Sequence, residues 1–294
     1  MGVSGGGHGE GNPGGHRPQG GSRGGGFPGV FKGGRPRGRV REWGESGGEG
    51  SLGGPGWGSQ GFPGWGCPSA SPVVPPGTSP PVCAPPFLRF AFSRPVILRG
   101  VTDNSAFRAL CTRDKLLAAY GQRLVRLSTA NTYSYRKVDV PFQEYVEQLL
   151  KPQDPTALGS DTLYFFGDNN FTEWGPLFQQ YVPPPFRIPG TSGAYSFGIA
   201  GSGSGVPFHW HGPGYSEVIF GRKRWFLYPP DKTPHFHPNE TTLAWLQHTY
   251  PTLPPAERPL ECTVRPGEIL YFPDRWWHAT LNLDTSVFIS TFLG

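Results

Sequence analysis

The stretch VPFHWHGPGYSE, residues 206–217, sets His209 and His211 two positions apart, with Glu217 six residues beyond the second. In an extended strand, residues two apart project to the same face. Two imidazoles so placed can chelate one ion while Trp210 points away. Downstream, RPGEILYFPDRWWHATLNL reads as a turn at Pro266–Gly267, a strand, a tight turn at Pro273–Asp274, and a second strand whose one face carries His278, Thr280 and Asn282. His209 and His211 are therefore a candidate pair of ligands for a divalent metal. A second HxH, His235-Phe236-His237, lies among Asp, Lys, Pro and Asn and reads as a surface loop.

Lys223 shares an expected strand face with Ile219, Trp225 and Leu227, which directs a charge toward an apolar interior. A cation buried there costs several kcal/mol unless it is paired. Three outcomes stay open: a cosubstrate carboxylate, Glu217 on the same face, or an exposed edge position. Asn282 either orients a ligand or bound oxygen or simply satisfies backbone groups. Trp276 and Trp277, beside the third histidine, read as hydrophobic wall.

The elements that position these residues begin near Ala91. RPVILRGV is a β-type run. A helix is expected from about Asp103, with Phe107, Leu110 and Cys111 on one face, and another over TRDKLLAAYG, opened by Thr112 and closed by Gly121. RLVRLS alternates as a strand, and VPFQEYVEQLL has helical spacing behind Pro141. From Leu163 onward LYFF, AYSFGIAG, VPFHWH, EVIFGRKRWFLYP, EILYFP, HATLNL and SVFISTFL read as strands. An excursion over 231–262 interrupts them and holds a short helix around TTLAWLQHTY. The pattern predicts a mainly β fold with flanking α-helices, an antiparallel barrel or jelly roll in which 91–160 form the lead-in and 161–294 the core.

Residues 1–90 differ in kind. Of 45 glycines in the chain, 29 fall in the first 80 residues, and a proline-rich run follows from Cys67 to about Pro86. Too few apolar side chains offset the entropy of ordering such a backbone, so a disordered tail is expected. The net charge of +5 is concentrated there: residues 1–90 hold eight Lys/Arg against four Asp/Glu, which leaves 18 against 17 for the rest. No basic face for specific nucleic-acid binding is expected on the folded body. No segment has the length and apolarity of a membrane span, and no secretory signal is visible in the first 25 residues. Two sequons, Asn170-Phe171-Thr172 and Asn239-Glu240-Thr241, mark candidate glycosylation sites, and Cys111 and Cys262 are either free thiols or one bridge.

Gly203, five residues, His209-x-His211, Glu217 and Gly221, then Gly267, five residues, Pro273, His278 and Asn282, is close to the bipartite cupin signature. That resemblance implies His278, returned from across the barrel, as a third metal ligand beside His209 and His211, and Glu217 as a candidate fourth that would add negative charge. Ligands contributed by separate strands are preorganised by the barrel and leave an open side for a substrate. GRKRWFLYPP, RPGEILYFPDRWWHAT and the closing SVFISTFL further resemble the JmjC domain of hydroxylase-type oxygenases over roughly 91–294. That resemblance implies a double-stranded β-helix, Fe(II), 2-oxoglutarate as cosubstrate, and a protein side chain as the group hydroxylated or demethylated. It carries over His209 and His278 as two histidine ligands and Lys223 as the lysine that anchors the far carboxylate of 2-oxoglutarate. It also marks departures. His211 stands where active members have Asp or Glu, Val206 replaces a hydroxyl residue, and Thr291 stands where some relatives have asparagine. Replacing a carboxylate by imidazole raises the site's charge by one and favours a borderline ion over a hard ferrous one. The expected function is thus a metal-binding candidate hydroxylase with a protein substrate or partner. Its rivals are a non-catalytic interaction module and a three-histidine metalloenzyme independent of 2-oxoglutarate. The resemblance implies the endoplasmic reticulum lumen, while the lack of a visible signal leaves the cytoplasm open.

Overall fold

The structure, a computed structural model, describes residues 69–70 and 90–294 apart from 134, 135 and 168. The expected disordered tail lies outside the described residues except for Phe90 and β1 (Ser69–Ala70); β1 runs parallel to β2 (Val96–Arg99) at the edge of a sheet. An edge is where a segment flanked by prolines can pair. Helices α1 (Ser105–Leu110) and α2 (Arg113–Tyr120) follow, then the hairpin β3 (Leu124–Thr129) and β4 (Lys137–Pro141). Pro141 ends β4, and the helix expected behind it is only α3 (Phe142–Glu144), which passes into a π-helical turn at Tyr145–Leu149. That turn keeps Phe142, Tyr145 and Val146 buried and leaves Leu149 exposed.

After β5 (Leu163–Phe166) comes α4 (Phe171–Phe178), a helix hidden in the sequence by Gly175 and Pro176. Its start is fixed by Asn170, whose Oδ1 accepts the N–H groups of Thr172 and Glu173, and its buried face is Trp174, Leu177 and Phe178. The barrel strands are β6 (Gly193–Ala200), β7 (Gly214–Phe220), β8 (Lys223–Tyr228), β9 (Leu260–Val264), β10 (Glu268–Phe272), β11 (Trp277–Asn282) and β12 (Ser286–Leu293), with α5 (Thr242–His248) between β8 and β9. They form a sheet ordered β1-β2-β10-β7-β12-β6-β5-β3-β4 and a second ordered β11-β8-β9. This is the expected jelly roll. The excursion closes earlier than its expected end at 262, because β9 pairs from Leu260 with Leu227 of β8.

Two interiors result. On the outer face of the large sheet, Phe197, Ile199, Ile219, Val287 and Ile289 pack against Phe107, Leu116 and Phe142 of the lead-in and Trp174 of α4. Between the sheets, Val218, Leu270 and Phe272 meet Trp225, Leu227 and Val264. EVIFGRKRWFLYP, expected as one strand, is two. Gly221, at φ +80°, turns the chain from β7 in one sheet to β8 in the other, a backbone conformation that glycine adopts freely. Cys111 is buried in the outer interior and Cys262 lies half-buried on β9, so the two do not form a bridge with each other.

Candidate metal centre

Residues 203–211 do not form the regular strand expected of VPFHWH, because Pro207 has no N–H to give a ladder. They still run antiparallel to β11. The Thr280 N–H donates to the Val206 carbonyl at 3.0 Å, and His209 and His278 exchange backbone bonds at 3.1 and 2.8 Å. Gly205 permits this approach: a methyl group there would fall 1.7 Å from the Thr280 carbonyl oxygen. The register therefore sets His209 directly opposite His278, with His211 two residues beyond. Trp210, 52% exposed, faces outward.

Ring nitrogens of His209, His211 and His278 lie within 4.8 Å of one another, the one His/Cys/Asp/Glu group able to hold an ion among the described residues. Each Nδ1 is taken by a backbone carbonyl: Pro207 at 2.9 Å, Gly212 at 2.8 Å and Trp276 at 2.9 Å respectively. A carbonyl only accepts, so each Nδ1 carries the hydrogen and each Nε2 is left with a lone pair. Nε2 of His278 and Nε2 of His211 then face each other at 3.1 Å. Protonation cannot easily settle this repulsion. Burial lowers the His209 pKa from 6.5 to about 4, aided by His211, and holds His278 well below the usual histidine range. A metal cation answers it, since two ligand nitrogens each about 2.1 Å from one ion at a right angle stand about 3 Å apart. The carbonyl bonds to Nδ1 are also what fixes the rings of metal-bound histidines.

A cavity of about 240 Å³ opens beside these rings. Its apolar walls are Trp225, Phe272, Phe288 and Phe292; its polar lining includes Tyr164, Lys223, Thr280 and Ser290, with no carboxylate among the described residues. Lys223 is 3% exposed, donates to the Tyr164 hydroxyl at 3.0 Å, and stands 3.3 Å from the centre of the Phe288 ring. Burial holds its pKa well below the usual lysine range. Of the three outcomes open for this residue, the exposed edge is excluded.

The chain matches the cupin-like domain family over residues 90–292. It is 81% identical over 206 residues to human JmjC domain-containing protein 8, covering 70% of this chain and 78% of that protein. The chain belongs to the JmjC cupin family. More distant relatives include Lysine-specific demethylase JMJ21 of Arabidopsis thaliana, 31% identical with 67% of this chain and 23% of that one covered. Another is the 2-oxoglutarate and iron-dependent oxygenase JMJD4 of Gallus gallus, 25% identical with 60% and 47% covered. No helix among the described residues is long and apolar enough to cross a membrane.

Within this JmjC cupin, Glu217 is not brought to the histidines. The turn at Gly221 resets the faces, so Glu217 on β7 points out of the barrel toward the lead-in while Lys223 on β8 points in. The Glu217 carboxylate accepts from Asn104 Nδ2 at 2.9 Å and from the Tyr181 hydroxyl at 2.9 Å, and burial raises its pKa. It therefore meets neither the three histidines nor Lys223, and both of the roles left open for it in the sequence fall away. Asn282, fully buried, donates to the Ser204 carbonyl at 2.9 Å and lies 3.4 Å from the Tyr164 hydroxyl. It holds the histidine segment to β11 and braces the tyrosine that meets Lys223. Val206 lines the cavity, whereas Thr291, next to the lining residues Ser290 and Phe292, takes the other face of β12. Tyr164 is the residue that sequence reasoning missed, because LYFF has apolar-type side chains at every position and signals no face. His235 and His237 are exposed, as expected of a surface loop.

The buried imidazoles couple the metal-free fold to pH. In the unfolded chain they take up protons as pH falls through 6.5, whereas in the folded chain His209 does so only near 4. Protons thus favour the unfolded state across this window, so stability is present above it and lost on acidification. With chelator present, the melting temperature should fall by about 5 °C or more between pH 7 and pH 5. His209→Phe should flatten that slope; an unchanged slope would show that the rings are not the groups responsible.

Proposed function

We propose that His209, His211 and His278 hold one divalent metal and that Lys223, with Tyr164, takes the carboxylate of 2-oxoglutarate, in an oxygenase of the hydroxylase type acting on a protein side chain. The observation that carries this is the pair of facing Nε2 lone pairs, neutral and locked by their Nδ1 bonds, beside a buried lysine that meets no carboxylate among the described residues. When bound, ferrous iron and 2-oxoglutarate would supply the reduction of dioxygen, with the cosubstrate decarboxylated to succinate. The residues' own contributions are binding and exclusion. The three imidazoles leave open positions on the ion, Lys223 gives a counter-charge at the cavity's inner end, and Trp225, Phe272, Phe288 and Phe292 keep water out. Kinship with a 2-oxoglutarate and iron-dependent oxygenase and a lysine demethylase supports the reaction class and a protein substrate.

The test is to load the chain anaerobically with Fe(II), add 2-oxoglutarate and oxygen, and measure bound metal and succinate. One ion per chain with succinate formation supports the proposal. Absence of bound metal overturns it. Metal without succinate selects a three-histidine metalloprotein, which His211 in the place of a carboxylate favours, since a neutral donor set suits Zn²⁺ better than Fe²⁺.

A further inference from the structure

The two sequons are equivalent as motifs and opposite as structures. Asn170, Phe171 and Thr172 are all exposed, Phe171 by 56%. The Asn170 side chain uses only Oδ1, which accepts from the N–H groups of Thr172 and Glu173, and its Nδ2 has no partner among the described residues. Beside it an open polar groove of about 660 Å³, lined by Arg123, Asp139, Asn169 and Glu173 among others, leaves room for a bulky substituent. Asn239 is tied at both ends: its Oδ1 accepts from the Ser160 N–H at 2.8 Å and its Nδ2 donates to Ser160 Oγ at 3.1 Å. Its sequon threonine is engaged as well. Thr241 is 3% exposed, and its Oγ1 caps α5 by accepting from the Ala244 N–H at 3.1 Å.

We propose that Asn170 is the N-glycan acceptor of this chain and that Asn239 stays unmodified. In the transfer, Nδ2 of Asn170 attacks the anomeric carbon of an oligosaccharide carried on a lipid diphosphate. The C–N bond forms, the bond from that carbon to the diphosphate oxygen breaks, and the lipid diphosphate leaves with the electron pair. The amide gives up one proton to a base of the transferring enzyme. Substitution keeps Oδ1 and one N–H, so the α4 cap survives, and the sugar projects into solvent. The same substitution at Asn239 would replace a hydrogen that reaches Ser160 and push a glycan into a half-buried junction between two loops.

The experiment places the full chain behind a cleavable secretion signal in mammalian cells, which separates acceptor choice from where the natural chain resides. Enzymatic glycan removal in ¹⁸O water, followed by peptide mass mapping, should label Asn170 and leave Asn239 unlabelled. Thr172→Ala should abolish the glycan while preserving the Asn170 cap and the melting temperature, and Thr172→Ser should restore it. A glycan mapped to Asn239 overturns the proposal. So does an unmodified Asn170 in material whose companion secreted glycoproteins are modified.

Discussion

His278→Ala is expected to strip the metal from an otherwise folded domain. Losing one of three ligands should weaken binding by at least about 100-fold, more than loss of an outer hydrogen-bond partner costs. The fold should survive, since the bonds that seat residues 203–211 on β11 are backbone ones: His209 N–H to the His278 carbonyl, His278 N–H to the His209 carbonyl, and Thr280 N–H to Val206. Relief of the facing lone pairs also compensates part of the packing lost when the ring leaves the stack on Phe272, whose centroid lies 5.0 Å away. Elemental analysis after dialysis and circular dichroism of the same sample check the two halves. His237→Ala, in the exposed HxH, serves as a control with the same chemistry and no effect on metal. Metal retained by His278→Ala at wild-type affinity would rule out the three-imidazole site.

How far the site could be read before folding depended on whether each signal was local. His209 and His211 are a two-residue spacing, and His278 stands on a strand bounded by Pro273-Asp274, so their types and approximate placement are visible in the chain itself. Their convergence is visible only as far as the cupin-like spacing carries it. Glu217 shows the boundary. Its parity with Lys223 holds only if β7 and β8 are one strand, and a single left-handed glycine, Gly221, sends them to different sheets. Tyr164 and the Asn104–Glu217–Tyr181 cluster are pairings between residues 36 to 113 positions apart, which no local period encodes. The helix α4 was hidden for a different reason: Gly175 and Pro176 lower its propensity, and the buried face of Trp174, Leu177 and Phe178 overrides them.

Lys223→Met should make the ligand-free protein more stable and at the same time deaf to 2-oxoglutarate. The lysine is buried against Phe288 and Trp225, with the Tyr164 hydroxyl as its hydrogen-bond partner, and burial depresses its pKa far below 10.5. At pH 7 the unfolded chain holds a proton that the folded chain resists, so this residue subtracts from stability. The penalty shrinks as pH rises toward 10.5. A methionine of similar length removes it, for a gain on the order of 2–4 kcal/mol, or about 5–10 °C in melting temperature at pH 7. That gain should diminish at pH 10. A dicarboxylate reverses the balance in the wild type: with an anion seated at Nζ the charged lysine is favoured, and binding at 100 times Kd stabilises the fold by about 2.7 kcal/mol. The variant should lose that increment. Thermal melts with and without 2-oxoglutarate, at both pH values, resolve the two effects. A variant that melts lower at pH 7 and still responds to the dicarboxylate would mean that the lysine anchors packing and not an anion, and the cavity would then need another counter-charge for any acidic ligand.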